Sequence, residues 1–262
     1  MERQYSAPAA DGALAVLEFL VDHPGEWGPT EITRRVGIGV NLTFRILNTL
    51  ARRGYVVRLA DGRCRLSSKL FSLGMKLHAG HDLRLAARPM LETLARVSGE
   101  ACHLQVPDGD AMVLWDSVAP ARDFYLNVTP GTRLCYHGNA FGKIAMAFMP
   151  EAEREQILSA DLKKLTPRTE TDPERLREEI LRAARDYYAV EDGEYVSGCY
   201  CIAAPVFDAA GRLAAAAGIA GLREREQSLD FQERIELVKD CARRITRLLG
   251  GEFYPGEGVP EP

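Results

Sequence analysis

Apolar side chains recur at helical spacing through the first hundred residues, and from Ala101 the period changes to two, so the chain predicts helices first and a sheet afterwards. Residues 12–21 form an apolar helical stretch with Leu14, Leu17, Phe19, Leu20 and Val21, ended by His23-Pro24-Gly25. A short helix over 31–36 and a longer one over 40–53 flank Gly37-Ile38-Gly39, a tight turn. The longer helix has two faces: Leu42, Ile46, Leu47 and Leu50 make one, and Asn41, Phe44, Arg45, Asn48 and Arg52 make the other. Residues 55–59 and 63–66 alternate like strands around Asp61-Gly62, a hairpin signal. Ser67-Ser68 caps a helix over 69–81 with Leu70, Leu73 and Leu77 on one side, and a further helix covers 88–97.

In the second part, 101–106, 112–118 and 124–128 read as antiparallel strands, with Pro107-Asp108-Gly109 turning between the first two. Helices follow over 139–148, 151–158 and 172–187, the last opened by Asp172-Pro173. Strands resume at 199–207 and 213–220, and an amphipathic helix over 228–249 closes the unit. The alanine-rich run 213–221 is helical by composition, but it is short and bounded by a turn and Gly221; it is taken as a buried strand whose small side chains leave room on one face. The organisation expected is a flexible arm (1–10), a winged helix-turn-helix (11–68), a linker helix (69–84), an α/β unit with a mixed or antiparallel sheet (85–250) and a disordered tail (251–262).

A buried helix needs only the apolar face of 40–53. The other face carries amides, a guanidinium and an aromatic ring, the groups that read base edges or grip phosphates in a major groove. Residues 29–69 hold nine Lys or Arg against two Asp or Glu, whereas 81–262 hold 22 against 30, within a chain of net charge −4. A basic head on an acidic body confines attraction for phosphate to the head. The candidate DNA contacts are Arg34, Val40, Asn41, Thr43, Phe44, Arg45, Asn48 and Arg52, with Arg63 on the wing.

No run of eighteen apolar residues occurs and the first dozen residues lack signal-peptide order, so a cytoplasmic protein with no membrane contact is expected. Its six cysteines are then reduced thiols. Cys199 and Cys201, two apart on a strand, share a face; core packing is the first reading, and thiol sensing, metal sensing or thiol catalysis in which Arg212 or His103 steadies a thiolate is the alternative. GxSxG, P-loop and HExxH motifs are missing, which argues against an enzyme, and no cofactor or metal is called for. The helix opening near Asn139 offers unpaired N–H groups to an anion. His137 and His103 are read as satisfied by hydrogen bonds at a helix entry and in the core.

Taken together, residues 13–54, Tyr136-His137-Gly138-Asn139-Ala140-Phe141-Gly142-Lys143, Leu165-Thr166-Pro167-Arg168-Thr169 and 201–208 resemble the IclR family of bacterial transcriptional regulators over nearly the whole chain. The resemblance implies a winged head, a linker helix, a GAF-like effector-binding domain, binding to a double-stranded operator as a homodimer or homotetramer, and control by a small, often carboxylated effector. Positions matching the family's effector pocket are Ala140, Phe141, Glu191, Cys201, Gly218 and Ala220. The last two are often serine in relatives that bind small keto acids. Their loss here leads us to expect a larger effector, with an apolar or aromatic body and a carboxylate at the helix from Asn139. Gly39-Val40-Asn41 also departs from the family's common opening of the recognition helix, so the operator cannot be copied from relatives.

Overall fold

Three helices meet over one small core in the head. The computed structural model describes residues 7–78, 82–122, 125–223 and 230–253. Helix α1 (Pro8–Asp22) starts earlier than its apolar run, because Pro8 at the first position supplies a preset φ and loses no hydrogen bond there. Residues 8–10 of the expected arm are therefore helical, and 1–6 lie outside the described residues. Helix α2 (Pro29–Val36) is opened by Pro29 and by Glu31, whose carboxylate accepts from the Gly28 N–H at 2.8 Å. It ends at Gly37, at φ +75°, a left-handed conformation that admits glycine without a Cβ penalty.

Helix α3 (Val40–Arg52) packs Ile46, Leu47 and Leu50 against Val16 and Leu20 of α1 and Ile32 of α2. Each such buried aliphatic side chain contributes about 2 kcal/mol. Strands β1 (Val56–Arg58) and β2 (Cys64–Leu66) pair antiparallel and bury Val56 and Cys64 in the same core, which seats the wing beside α3. Helix α4 (Lys69–His78) follows; the expected helix ran to 81, and 79–81 lie outside the described residues.

Chain contacts divide the molecule into units 1–80 and 81–262. The second opens with α5 (Asp82–Ser98), longer than the predicted 88–97. Pro89 removes one intrahelical bond, yet Leu83, Ala87, Leu91, Leu94 and Ala95 keep one buried stripe running past it. The sheet runs in the order β5-β4-β3-β8-β7-β6 and every pairing is antiparallel. Its strands are β3 (Ala101–Asp108), β4 (Ala111–Val118), β5 (Arg133–Leu134), β6 (Ala189–Asp192), β7 (Cys199–Phe207) and β8 (Leu213–Leu222).

The strand predicted over 124–128 is not formed: residues 125–129 run without pairing, residue 124 lies outside the described residues, and β5 takes the sheet edge. The ambiguous alanine run is strand β8. Both of its faces are covered, so small residues are buried on each side. Ala215, Ala217 and Ile219 face α5 and α9 (Phe231–Leu248), while Ala216 and Ala220 face α6 (Ala140–Phe148) and α8 (Pro173–Asp186). Helix α7 (Glu151–Leu158) buries Leu158 against the α6 layer. The expected disordered tail begins too early, since Phe253 is buried against Tyr187, ring centroids 5.6 Å apart. The result is a helix-turn-helix head and a separate α/β unit with a six-stranded antiparallel sheet between helical layers.

Candidate functional site

On α3 the side chains turned away from the core are Val40, Asn41, Phe44, Arg45, Asn48 and Arg52, all exposed. Phe44, at 43% exposure, and Val40, at 50%, have no core to fill on that side. Arg34 is exposed on α2. Arg63 on the wing is exposed but engaged, with its guanidinium 2.6 Å from Asp61 and 2.9 Å from Glu26. A phosphate would have to compete with those exposed carboxylates, which hold such pairs weakly.

Thr43 corrects the sequence reading. It is fully buried, and its Oγ1 lies 3.2 Å from the Gly39 carbonyl and 3.0 Å from Thr33 Oγ1. It joins α2 to α3 and does not reach the surface that a duplex would meet.

In the second unit, pairing register builds one cross-sheet row: Glu191 on β6 lies opposite Cys201 on β7, which lies opposite Ala220 on β8. These three line a partly open cavity of about 70 Å³. His103 and Gln105, two apart on β3, line it too, as does Asn139, the N-cap of α6. Asn139 has two tasks. Its Oδ1 accepts from the Phe141 N–H at 3.2 Å and its Nδ2 donates to Gln105 Oε1 at 2.8 Å, fixing α6 to β3. The remaining wall is largely apolar, including Leu126, Val128, Leu134 and Val196.

Two polar atoms in this cavity lack partners among the described residues: His103 Nε2 and Glu191 Oε2, on side chains of residues 3% and 1% exposed. His103 is thus not the satisfied core histidine that the sequence suggested. Burial pushes its pKa down to about 4, so the ring is neutral. Glu191 Oε1 accepts from the N–H groups of Glu194 and Tyr195, and Cys201 lies opposite Glu191 across the β6–β7 pairing. Burial nevertheless raises the Glu191 pKa, outweighing those hydrogen bonds.

The loop after Glu191 carries Tyr195 and Val196 into the wall and is held from outside. Thr166 and Thr169 donate to the Gly193 and Glu194 carbonyls at 2.7 and 2.6 Å, and Lys143, itself buried, pairs with Glu194 at 2.8 Å and Glu179 at 2.7 Å. None of these supporting residues stood out in the sequence as a site. The alternation of polar His103 and Gln105 with apolar Cys102 and Leu104 is the sequence signal that marks this inner face.

Of the six positions expected around an effector, Ala140, Phe141 and Gly218 do not line the cavity. Phe141 is fully buried, its ring 6.1 Å from that of His103, so it packs behind the wall. Gly218 is small for a different reason from the one expected. A Cβ there would lie 2.0 Å from the Ile202 carbonyl oxygen and 2.8 Å from the Ala203 Cα, so the neighbouring strand occupies the space.

A larger recess of about 680 Å³ opens beside α7 and includes Cys135, His137 and Lys163. His137 is satisfied there, bonding the Lys163 carbonyl at 2.9 Å, and no side-chain atom of its wall is buried without a partner. The smaller cavity is the better candidate because it has polar groups to satisfy. Cys199 and Cys201 share its wall, but burial raises both thiol pKa values and the charge of Glu191 adds to this. Neither cation suggested for a thiolate serves: His103 is neutral and Arg212 is bonded to Asp208 at 2.8 Å. Among the described residues no group of three or more His, Cys, Asp or Glu is placed to hold a metal.

Residues 75–247 match a family model described as bacterial transcriptional regulator IclR C-terminal, and residues 9–60 match the IclR helix-turn-helix domain. The chain is 28% identical over 254 residues to the HTH-type transcriptional repressor AllR of Escherichia coli K12, covering 96% of this chain and 94% of that protein. It is 33% identical over 246 residues to the glycerol operon regulatory protein of Streptomyces coelicolor, covering 92% and 96%. The crystal structure of the Thermotoga maritima IclR superposes with a TM-score of 0.77 at 28% identity, covering 92% of this chain and 98% of that one.

Proposed function

Since this chain belongs to the IclR family of bacterial DNA-binding transcriptional regulators, we propose that it is a one-component switch: α3 reads an operator, and a small molecule in the cavity between β3, β6, β7 and β8 alters that binding. The observation that carries the reading is the pair of unpartnered, buried polar atoms, His103 Nε2 and Glu191 Oε2, lining one cavity. Leaving such groups unpaired costs about 1–3 kcal/mol each. A ligand that satisfies them regains that energy as affinity, and it changes DNA binding to the extent that the gain differs between two conformations of the protein.

In this reading Asn41, Arg45 and Asn48 address base edges, Arg34, Arg52 and Arg63 address phosphates, and Val40 and Phe44 make apolar contacts with the groove. One head covers half a site, so the working form is a homodimer or homotetramer on a duplex with repeated half-sites. It acts in the cytoplasm, where its DNA is. No described helix is long and apolar enough to cross a membrane.

The large aromatic acid expected from the sequence is not part of this reading. The bare wall it required is filled at Gly218 by the neighbouring strand, and the cavity itself measures only about 70 Å³. The test is a thermal-shift screen of the full chain against small polar metabolites, followed by gel shifts on bound operator. A compound that raises the melting temperature of the second unit should change DNA affinity. If no stabilising compound does so, effector control through this cavity is refuted.

A further inference from the structure

The charge balance of the cavity identifies the class of molecule that fits it, granted the reading above that an effector binds there. Its wall contains no Lys or Arg. Lys143, the buried cation of α6, is shared between Glu179 and Glu194 and lies outside the lining. Its unpartnered buried polar atoms are one carboxylate oxygen and one ring nitrogen; the lining also holds the Tyr195 hydroxyl, the thiols of Cys199 and Cys201, and an amide pair, Gln105 and Asn139, already bonded to each other.

We propose that the effector is a compact, uncharged molecule bearing hydroxyl or amide N–H groups, with Glu191 Oε2 accepting from it and His103 Nε2 as the second polar contact. A carboxylate would face Glu191 in a pocket whose lining offers no Lys or Arg, and burying an unpaired anion is far costlier than burying a hydroxyl. A neutral histidine cannot supply the missing cation, and the depressed His103 pKa supports this. An ammonium would find Glu191. However, Glu191 Oε1 is already committed to two backbone N–H groups, and a buried ion pair roughly breaks even against its desolvation. A neutral donor pays no such penalty and satisfies the same oxygen.

Isosteric probes decide the matter. Glycolamide and glycolate have the same size and differ in charge and donor count; ethanolamine supplies the ammonium. Affinities for the full chain are read by saturation-transfer NMR, for the parent and for His103→Leu, Glu191→Gln and Ala220→Val. His103→Leu removes an unpaired buried group and so should keep its melting temperature, and Ala220→Val fills part of the cavity. Glycolamide should bind about tenfold more tightly than glycolate, with about tenfold lost in His103→Leu, as one hydrogen bond predicts. That preference should vanish in Ala220→Val. Tighter binding of glycolate or ethanolamine would overturn the uncharged class while leaving effector control intact. Binding of glycolamide that is unchanged in both His103→Leu and Ala220→Val would place it elsewhere and overturn the cavity assignment itself.

Discussion

Replacing Asn139 by Ala removes two structural tasks at once. The N-cap bond to the Phe141 N–H is lost, at about 1 kcal/mol. The bond to Gln105 goes as well, leaving a buried amide oxygen without its donor, at about 1–3 kcal/mol. Because the two bonds share one side chain they need not add strictly, and we expect about 2–4 kcal/mol in all. For a unit of this size that lowers the melting temperature by roughly 5–15 °C. Trp115 lies in this unit and Trp27 in the head, so denaturant titration followed by fluorescence in a Trp27→Phe background reports on the second unit alone. Asn139→Ser keeps a capping oxygen but is too short to reach Gln105, so it should recover only the capping share. A cost below about 0.5 kcal/mol for Asn139→Ala would refute the claim that this residue fastens α6 to β3.

Three further expectations concern other parts of the molecule. Arg45→Ala should cost about 1–3 kcal/mol at a specific site and relax preference at one base position, whereas Arg52→Ala should weaken binding evenly across sequences; gel-shift titration on matched and mismatched duplexes separates the two. His103 has a folded pKa of about 4 against an ordinary 6.5, so the unfolded chain takes up a proton first as pH falls, and about 3 kcal/mol of stability present above pH 6.5 is lost on approaching pH 4. Glu191, with its pKa raised, opposes this by stabilising the folded state at low pH, so the His103 share is read as the flattening of the stability profile in His103→Leu. Iodoacetamide followed by peptide mapping should label Cys135 first, because the other five thiols are buried; early labelling of Cys199 or Cys201 would revive thiol chemistry in the cavity.

The head was legible because its periodicity and turn residues agree with its packing. Thr43 shows the limit: it lies on the same stripe as Ile46, Leu47 and Leu50, but a hydroxyl reads as polar until its bond to the helix backbone is seen. In the second unit the strands with long alternating or small-residue runs were found, whereas β6, four residues at a sheet edge, is too short to show a period. Glu191, Cys201 and Ala220 converge because of register between strands distant in sequence, and only the family resemblance could anticipate that. His103 and Phe141 show the same limit from opposite sides, one reaching the cavity and one packing behind it, since side-chain direction relative to a void is set by tertiary packing.

On the proposed function, the exposed face of α3 reads DNA in pairs of half-sites. Selection of duplexes from a randomised pool by the full chain, with footprinting of the enriched sequences, tests it most directly. A palindromic or repeated motif is expected, with half-sites about one helical turn, or a multiple of it, apart, and its enrichment should be lost in Arg45→Ala. An asymmetric site bound by a monomer at full affinity, or enrichment unchanged in Arg45→Ala, would contradict it.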